Sequence, residues 1–470
     1  MTVIIYIAIA IGIAALLSAA KTHRAVAALS ALFYVMQAAA AVTVIFFLQG
    51  QSSAMFFTFD KLGTLFFTLM AIVSPVAFCH AQYYISAGSV HDVRLFNQLL
   101  ILLCTAISGV YFASNIAVTW ICLEATTLCA AGVIYHRRGD DSLEATWKYI
   151  FVCSTGITMA YLGILLLCGA AAGEGLSYNA LREAAAGANP LYLKIAFLLV
   201  LAGFSCKLEV FPLYPIGVDA NYAAPAPAAA LISTVLVNAG FVSVFRIYGL
   251  LVSSPVFEWV RSVMILTGVV SLMFGAIFIR RATHLKRFLS YSTVENMGIV
   301  LIGLGIGGAG IAAALLHTVA HTLVKSGMFL LAAQAGKTYD SYHINSMTDF
   351  MKISPASAVT LLVGALMLMA FPPSLLFVSE LGILGQIAAQ DRWWLLAIVA
   401  LLLCIAVYGI CNTVFKICYQ SHEHPHRTFD TPKAAYTWSA AALIAAAMIL
   451  GVYRPEFFMD IIETIANFRG

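Results

Sequence analysis

Long apolar runs separated by short polar breaks recur along almost the whole chain. Fourteen can be read: 2–20, 25–48, 62–86, 95–113, 115–135, 144–171, 191–220, 226–251, 257–280, 285–306, 309–335, 355–388, 393–419 and 434–453. As a helix, a run of about 20 residues crosses about 30 Å of hydrocarbon while satisfying its own backbone groups. The runs do not alternate in short segments, which argues against barrel strands. The pattern predicts an all-α membrane protein of about fourteen transmembrane helices. Two runs are interrupted, the seventh at Pro212 and Pro215 and the twelfth at Pro372 and Pro373. Paired breaks in two halves predict inverted repeats around a midplane site. A five-helix unit repeated as helices 4–8 and 9–13 fits the spacing. The expected division is 1–94 (helices 1–3), 95–251 (first repeat), 252–420 (second repeat) and 421–470 (helix 14).

Composition supports this pattern. The 470 residues are 62% hydrophobic and 10% charged, with mean hydropathy +0.94. Soluble domains carry about 25% charge, so this chain has too few charges to solvate a globular surface. The first run has no basic stretch before it and reads as a first helix, not a signal peptide. Thirteen Lys and Arg residues lie in the loops after odd-numbered helices and five in the loops after even-numbered ones. That bias predicts cytoplasmic odd loops and both termini outside. The net charge of +4 comes from these loops and gives no sign of nucleic-acid binding.

Several charges fall inside the runs. Glu124 sits in "TWICLEATTL", Lys207 in "GFSCKLEVFPLYPIGVDANYAAPAPA" and Glu380 in "FPPSLLFVSELGIL". His317, His321 and Lys325 follow one another at i, i+4 and i+8 in "LLHTVAHTLVK". A charge at the bilayer centre costs about 2.5–3.5 kcal/mol on insertion scales and usually faces a partner or water. Two opposite charges on different helices, Glu124 and Lys207, are expected to pair. The proline break beside Lys207 frees backbone carbonyls and predicts a hydrated gap. A lysine there can exchange its proton as a carboxylate approaches or withdraws. Glu144 and Lys148 have helical i,i+4 spacing and fit either a surface pair or a supporting role.

Other features read more plainly. His317 and His321 have the spacing of two metal ligands, but no third ligand or accompanying glutamate is evident, so a proton relay is the better reading. "GLGIGG" at residues 303–308 has no surrounding βαβ unit and reads as helix-end glycines. "HEHPH" at residues 422–426 reads as a solvated loop, with metal binding as the alternative. Cys404, Cys411 and Cys418, seven residues apart, read as small buried hydrophobes.

Taken together, "LEATTL", "GFSCKLEVFPLYPIGVDANYAAPAPAAALIS", "LKRFLSYSTVENMGIVLIGLGIG", "AALLHTVAHTLVKSGMFLLAA" and "PPSLLFVSELGIL" resemble the antiporter-like subunits of respiratory complex I. They are similar also to subunits of multisubunit cation/proton antiporters and of group 4 membrane-bound hydrogenases. "YSTVENMGI" and "PPSLLFVSE" lean towards the hydrogenase-4 or formate hydrogenlyase type. The resemblance covers about residues 95–420 and implies fourteen helices with two inverted five-helix repeats.

It places the family's helix-five glutamate on Glu124, its broken-helix lysine on Lys207 and its helix-twelve acid or lysine on Glu380. The helix-eleven positions fall on His317, His321 and Lys325. In helix eight, where relatives often carry lysine or histidine, this chain offers Ser233 and Asn238. Asp219 joins them as a supporting candidate. The implied function is proton translocation by a non-catalytic membrane subunit that carries no cofactor of its own. The implied partners are sister membrane subunits, membrane lipid and a peripheral hydrogenase or quinone-reducing arm. A prokaryotic inner membrane is the expected location. Two alternatives stay open: a cation/proton antiporter subunit without a redox partner, and a purely structural subunit.

Overall fold

A computed structural model describes residues 3–54, 56–85, 88–170, 175–421 and 433–468. The helices are α1 (Val3–Ser18), α2 (His23–Thr43), α3 (Lys61–Ile85), α4 (Val90–Phe112), α5 (Ile116–Ile134), α6 (Asp140–Ala170), α7 (Tyr178–Ala185), α8 (Pro190–Leu208), α9 (Pro215–Ala223) and α10 (Ala226–Leu231). They continue as α11 (Val237–Leu250), α12 (Phe257–Arg281), α13 (Leu285–Ile306), α14 (Ala309–Tyr339), α15 (Phe350–Ile353), α16 (Pro355–Leu368), α17 (Leu375–Ala389), α18 (Trp393–Tyr419), α19 (Ala434–Val452) and α20 (Glu456–Ala466). A small antiparallel hairpin, β1 (Ser52–Ala54) with β2 (Phe57–Thr58), lies between α2 and α3.

Twelve helices among the described residues are long and apolar enough to cross a membrane. The short apolar α1 and the broken pair α16/α17 complete fourteen spans, each matching one apolar run of the sequence. The protein is an all-α integral membrane protein. Several helices start or end beyond the apolar run. Helix α4 starts at Val90 rather than 95 because Ser89 caps it, its hydroxyl accepting from the Asp92 N–H at 3.2 Å. Hydropathy registers only the lipid-facing length of a helix, not its polar first turn. Between α6 and α8 lies the short amphipathic helix α7.

The chain divides into two compact units. The first holds 1–228, 235–263 and 467–470, and the second holds 229–234 and 264–466. An aromatic cluster helps fill the first, where Phe66 packs on Tyr111 and Phe241, and Phe241 on Phe245. Here α6 crosses α8 at two glycines: a Cβ on Gly156 would lie 2.9 Å from the Gly203 carbonyl oxygen. Without a hydrophobic drive between helices in lipid, such close contacts supply the packing energy. The second unit has an aliphatic core of Leu272, Ile299, Ile302, Ile306, Ile383 and Ile387. Within it, α14 packs against α13, α16, α17, α19 and α20, and its mid-membrane residues are fully enclosed.

Candidate functional site

In the first unit, α8 stops just after Lys207. Glu209 takes a left-handed φ of 55° and caps the helix, its N–H bonding to the Ser205 carbonyl. The peptide bond before Pro212 is cis. Ser205 also serves the break with its hydroxyl, which accepts from the Leu213 N–H at 3.3 Å. A side chain thus supplies at least one of the partners that a broken helix in lipid requires. The Glu209 carboxylate is buried, and its Oε1 accepts from Asn221 Nδ2 at 2.9 Å.

Lys207 itself is 1% exposed. Its ammonium donates to Thr127 Oγ1 on α5 at 2.9 Å and to Tyr149 Oη on α6 at 3.0 Å. It also lies 4.9 Å from the centroid of the Tyr149 ring. Glu124, one turn before Thr127 on α5, makes no direct ion pair with Lys207, contrary to the sequence expectation. Its Oε2 accepts from Thr127 Oγ1 at 3.2 Å, and its Oε1 accepts from Ser154 Oγ on α6 at 3.1 Å. The i,i+3 spacing of Glu124 and Thr127 puts both on one helix face, and the shorter threonine fills the gap next to the lysine.

In the second unit, His317, His321 and Lys325 are all fully buried along one face of α14. Lys325 donates to Ser292 Oγ on α13. Its burial keeps the Lys325 ammonium away from the membrane interface. His317 Nδ1 meets Ser379 Oγ of α17 at 2.9 Å, and His317 Nε2 meets Asn296 Oδ1 of α13 at 3.0 Å. The Asn296 amide nitrogen already bonds the Ser292 carbonyl at 2.6 Å and Glu295 Oε2 at 2.5 Å. Its Oδ1 must therefore accept, so His317 Nε2 carries a hydrogen. Ser379 also lies 2.8 Å from the Leu376 carbonyl. When its hydrogen points there, the serine oxygen is left free to accept from the ring. When it points to Nδ1, the serine donates to the ring. Both nitrogens of His321 lack a hydrogen-bond partner among the described residues, a condition that costs about 1–3 kcal/mol per buried group.

Glu380 lies on α17, which begins at the cap residue Ser374 beyond the second proline break. The carboxylate reaches a cavity of about 410 Å³ lined by Met369, Phe377, Leu381, Leu384, Leu403 and Tyr408. It interacts electrostatically with Glu295.

Sequence reading missed Glu295. It is 1% exposed on α13 and interacts electrostatically with Lys325. The signal was available: a carboxylate in the apolar run "STVENMGIVL" is as anomalous as Glu124 in its own run. Ser233 is buried and hydrogen-bonds Thr293 at 2.7 Å, while Asn238 is buried on α11. Asp219 is half-buried on α9. Glu144 and Lys148 form a surface pair on α6, 66% and 52% exposed, so the bland alternative describes them. Among the described residues no cluster could hold a metal ion, and no cysteine is in a disulfide. His422–His426 lies outside the described residues.

These features define a class first: a polytopic membrane protein with a buried lysine, bonded to a hydroxyl near a carboxylate, in each of two units. The chain belongs to the NADH:quinone oxidoreductase/Mrp antiporter transmembrane family, whose profile matches residues 113–406. It is 28% identical over 419 residues to a hydrogenase-4 component F homolog of Methylacidiphilum infernorum, covering 85% of this chain and 86% of that protein. Its fold is similar to that of a chain of the archaeal membrane-bound sulfane sulfur reductase complex, with TM-score 0.88, 21% identity and 99% and 96% coverage. It is also similar to a chain of respiratory complex I from Thermus thermophilus, with TM-score 0.83, 19% identity and full coverage of both.

Proposed function

We propose that this chain is a proton-translocating, antiporter-like membrane subunit of a redox-driven complex of the membrane-bound hydrogenase or complex I-like type. The observation that carries the reading is Lys207, fully enclosed at a helix break and joined through Thr127 to Glu124. A membrane protein keeps such a charge at a cost in stability, and the common reason is an ion pathway. Protons move through Glu124 and Lys207 in the first unit, and through His317, His321, Lys325 and Glu380 in the second, with Ser233 and Asn238 as polar support. On this reading the chain carries no cofactor. Energy reaches it from partner membrane subunits and a peripheral hydrogenase or quinone-reducing arm. The relation to a hydrogenase-4 component supports the hydrogenase form of that arm. The lysine and arginine bias supports an orientation with both termini outside, and the location proposed is a prokaryotic inner membrane.

The family description also includes Mrp antiporters, so a subunit of a non-redox cation/proton antiporter is the second reading. Inverted membrane vesicles carrying the complex separate the two. The first reading expects proton uptake on addition of hydrogen or NADH, and Lys207→Ala and Glu124→Ala should each lower uptake per electron about tenfold or more. Unchanged uptake in both variants refutes it. Proton movement driven by a sodium gradient with no electron donor establishes the second.

A further inference from the structure

We infer that Thr127 is the proton relay between Lys207 and Glu124, and that it keeps the two charges from locking into a direct ion pair. The inference deepens the proton-translocating reading and rests on it. Each end of the chain has a second partner of its own. Tyr149 Oη accepts from the lysine at 3.0 Å, and Ser154 Oγ donates to Glu124 Oε1 at 3.1 Å. That leaves Glu124 Oε2 and one Lys207 N–H directed at a single shared atom, Thr127 Oγ1, at 3.2 and 2.9 Å. Lys207 and Thr127 are buried, so the hydroxyl stands where bulk water does not compete.

The step balances. Lys207 gives one N–H proton to the Thr127 oxygen while the Thr127 O–H proton passes to Glu124 Oε2. One N–H and one O–H bond break and two O–H bonds form. No electron moves, threonine is regenerated, and a +1/−1 pair becomes two neutral groups. The reverse step restores the charges. The hydroxyl also has an off position, since Thr127 Oγ1 lies 3.5 Å from the Leu123 carbonyl. A hydrogen turned there leaves Glu124 Oε2 without its relay. A direct lysine–glutamate pair offers no such interruption and in a low-dielectric interior would hold both charges fixed.

The second unit independently repeats the parts. Lys325 donates to Ser292, and Glu295 lies three residues further along the same helix. The Ser292 hydroxyl points to the Leu289 carbonyl at 3.2 Å, which matches the off position. A lysine held by a hydroxyl three residues from a carboxylate is thus a shared composition, not an accident of one contact.

The test uses the intact complex in inverted vesicles, energised by whichever of hydrogen or NADH drives the wild type, and reads protons taken up per electron. Thr127→Val, which keeps the shape and removes the hydroxyl, should lower the ratio about tenfold, while Thr127→Ser should restore most of it. Adding Glu124→Gln to Thr127→Val should cause little further loss, because both act on one transfer. If Thr127→Val pumps like wild type while Lys207→Ala does not, the relay is refuted and the proposed function stands. Equal impairment by Thr127→Val and Thr127→Ser also refutes it, since that would mark a packing role. Wild-type pumping in both Lys207→Ala and Glu124→Ala refutes the proposed function itself. If Thr127→Val does not accumulate, Thr127→Ala replaces it, and pumping equal to Thr127→Ser overturns the relay.

Discussion

Arg246 offers a perturbation that separates what holds the first unit together from what moves charge through it. Its guanidinium, on α11, donates to the Val110 carbonyl at 2.8 Å, the Tyr111 carbonyl at 2.6 Å and Asp60 Oδ2 at 2.9 Å. It also lies 5.6 Å from the centroid of the Tyr178 ring. Val110 and Tyr111 are in the last turn of α4, where helix carbonyls have no partner of their own. One fork therefore ties the end of α4, the start of α3 and α7 to α11. The arginine side chain is 8% exposed and Asp60 is 26% exposed. Removing one partner of a buried pair costs about 3–5 kcal/mol. Asp60 keeps water and still accepts from the Gly63 N–H at 2.8 Å, which lowers the expected loss for Arg246→Met to about 2–4 kcal/mol. Arg246→Lys retains the charge but not the planar fork that reaches two carbonyls and a carboxylate together, so it should lose about half as much. Unfolding in mixed detergent micelles measures both variants, and a double-mutant cycle with Asp60→Asn isolates the pair. Arg246 touches none of the Lys207 partners, so pumping per assembled complex should stay at the wild-type level. A loss below about 1 kcal/mol, or a lysine variant as stable as wild type, would show that the clamp is incidental.

Two further substitutions probe the scaffold and the second unit. Gly203→Leu puts a side chain against the backbone of α6, whose Gly156 would itself need a Cβ only 2.9 Å from the Gly203 oxygen; it should cost about 1–3 kcal/mol and lower pumping by drawing Tyr149 away from Lys207. A Gly203→Leu protein of unchanged thermal stability and activity would contradict that close crossing. Glu295→Gln retains an acceptor for Asn296 but removes the charge near Lys325; pumping should fall about tenfold with little loss of stability, and unchanged pumping would make Glu295 a passenger.

The spans were legible because lipid imposes one rule on every residue of a helix. Length and hydropathy identified all fourteen, including both broken ones. The helix ends were less legible, since Ser89 and the polar first turn of α6 extend helices past their apolar length. Mid-membrane charge found Glu124, Lys207 and the α14 series but overlooked Glu295 and Arg246, which break the same rule. The Lys207 environment was less legible still. Charge alone suggested a direct pair with Glu124, because a sequence shows sign and spacing but not which neutral hydroxyl reaches the gap first. Ser205, Ser379 and Ser292 were hidden for the same reason. A serine in an apolar helix costs little and usually bonds its own i−4 carbonyl, so nothing in composition separates a relay from a bystander.

That ordinary habit is what makes the hydroxyls useful beside a charge. Thr127 can turn to Leu123 or to Glu124, and Ser379 to Leu376 or to His317. Each hydroxyl has one choice within its own helical turn, and each exchange is a side-chain rotation, so the hydrogen bond can be exchanged without displacing the helix. Sliding the helices is a costlier way to switch. Gly156 is in backbone contact with α8, and Gly240 on α11 presses on the same helix, where a Cβ would lie 2.7 Å from the Lys207 carbonyl carbon. In the second unit a Cβ on Gly275 would lie 2.6 Å from the Glu295 Cβ. Helices meeting at such distances cannot shift by a residue without overlap, as densely packed interiors transmit strain rather than absorb it. The charged residues are therefore held by rigid frames, and the parts free to change are hydroxyl rotors, lysine torsions and proton positions. On that basis a signal arriving from a partner subunit needs only to alter the local field at Glu124 or Glu295 to reverse the favoured hydroxyl orientation. A comparison of wild-type helix positions in resting and energised complexes should show backbone shifts within each unit far smaller than one helical rise of about 1.5 Å. A shift of a full turn of α8 against α6 would show that the helices themselves carry the stroke.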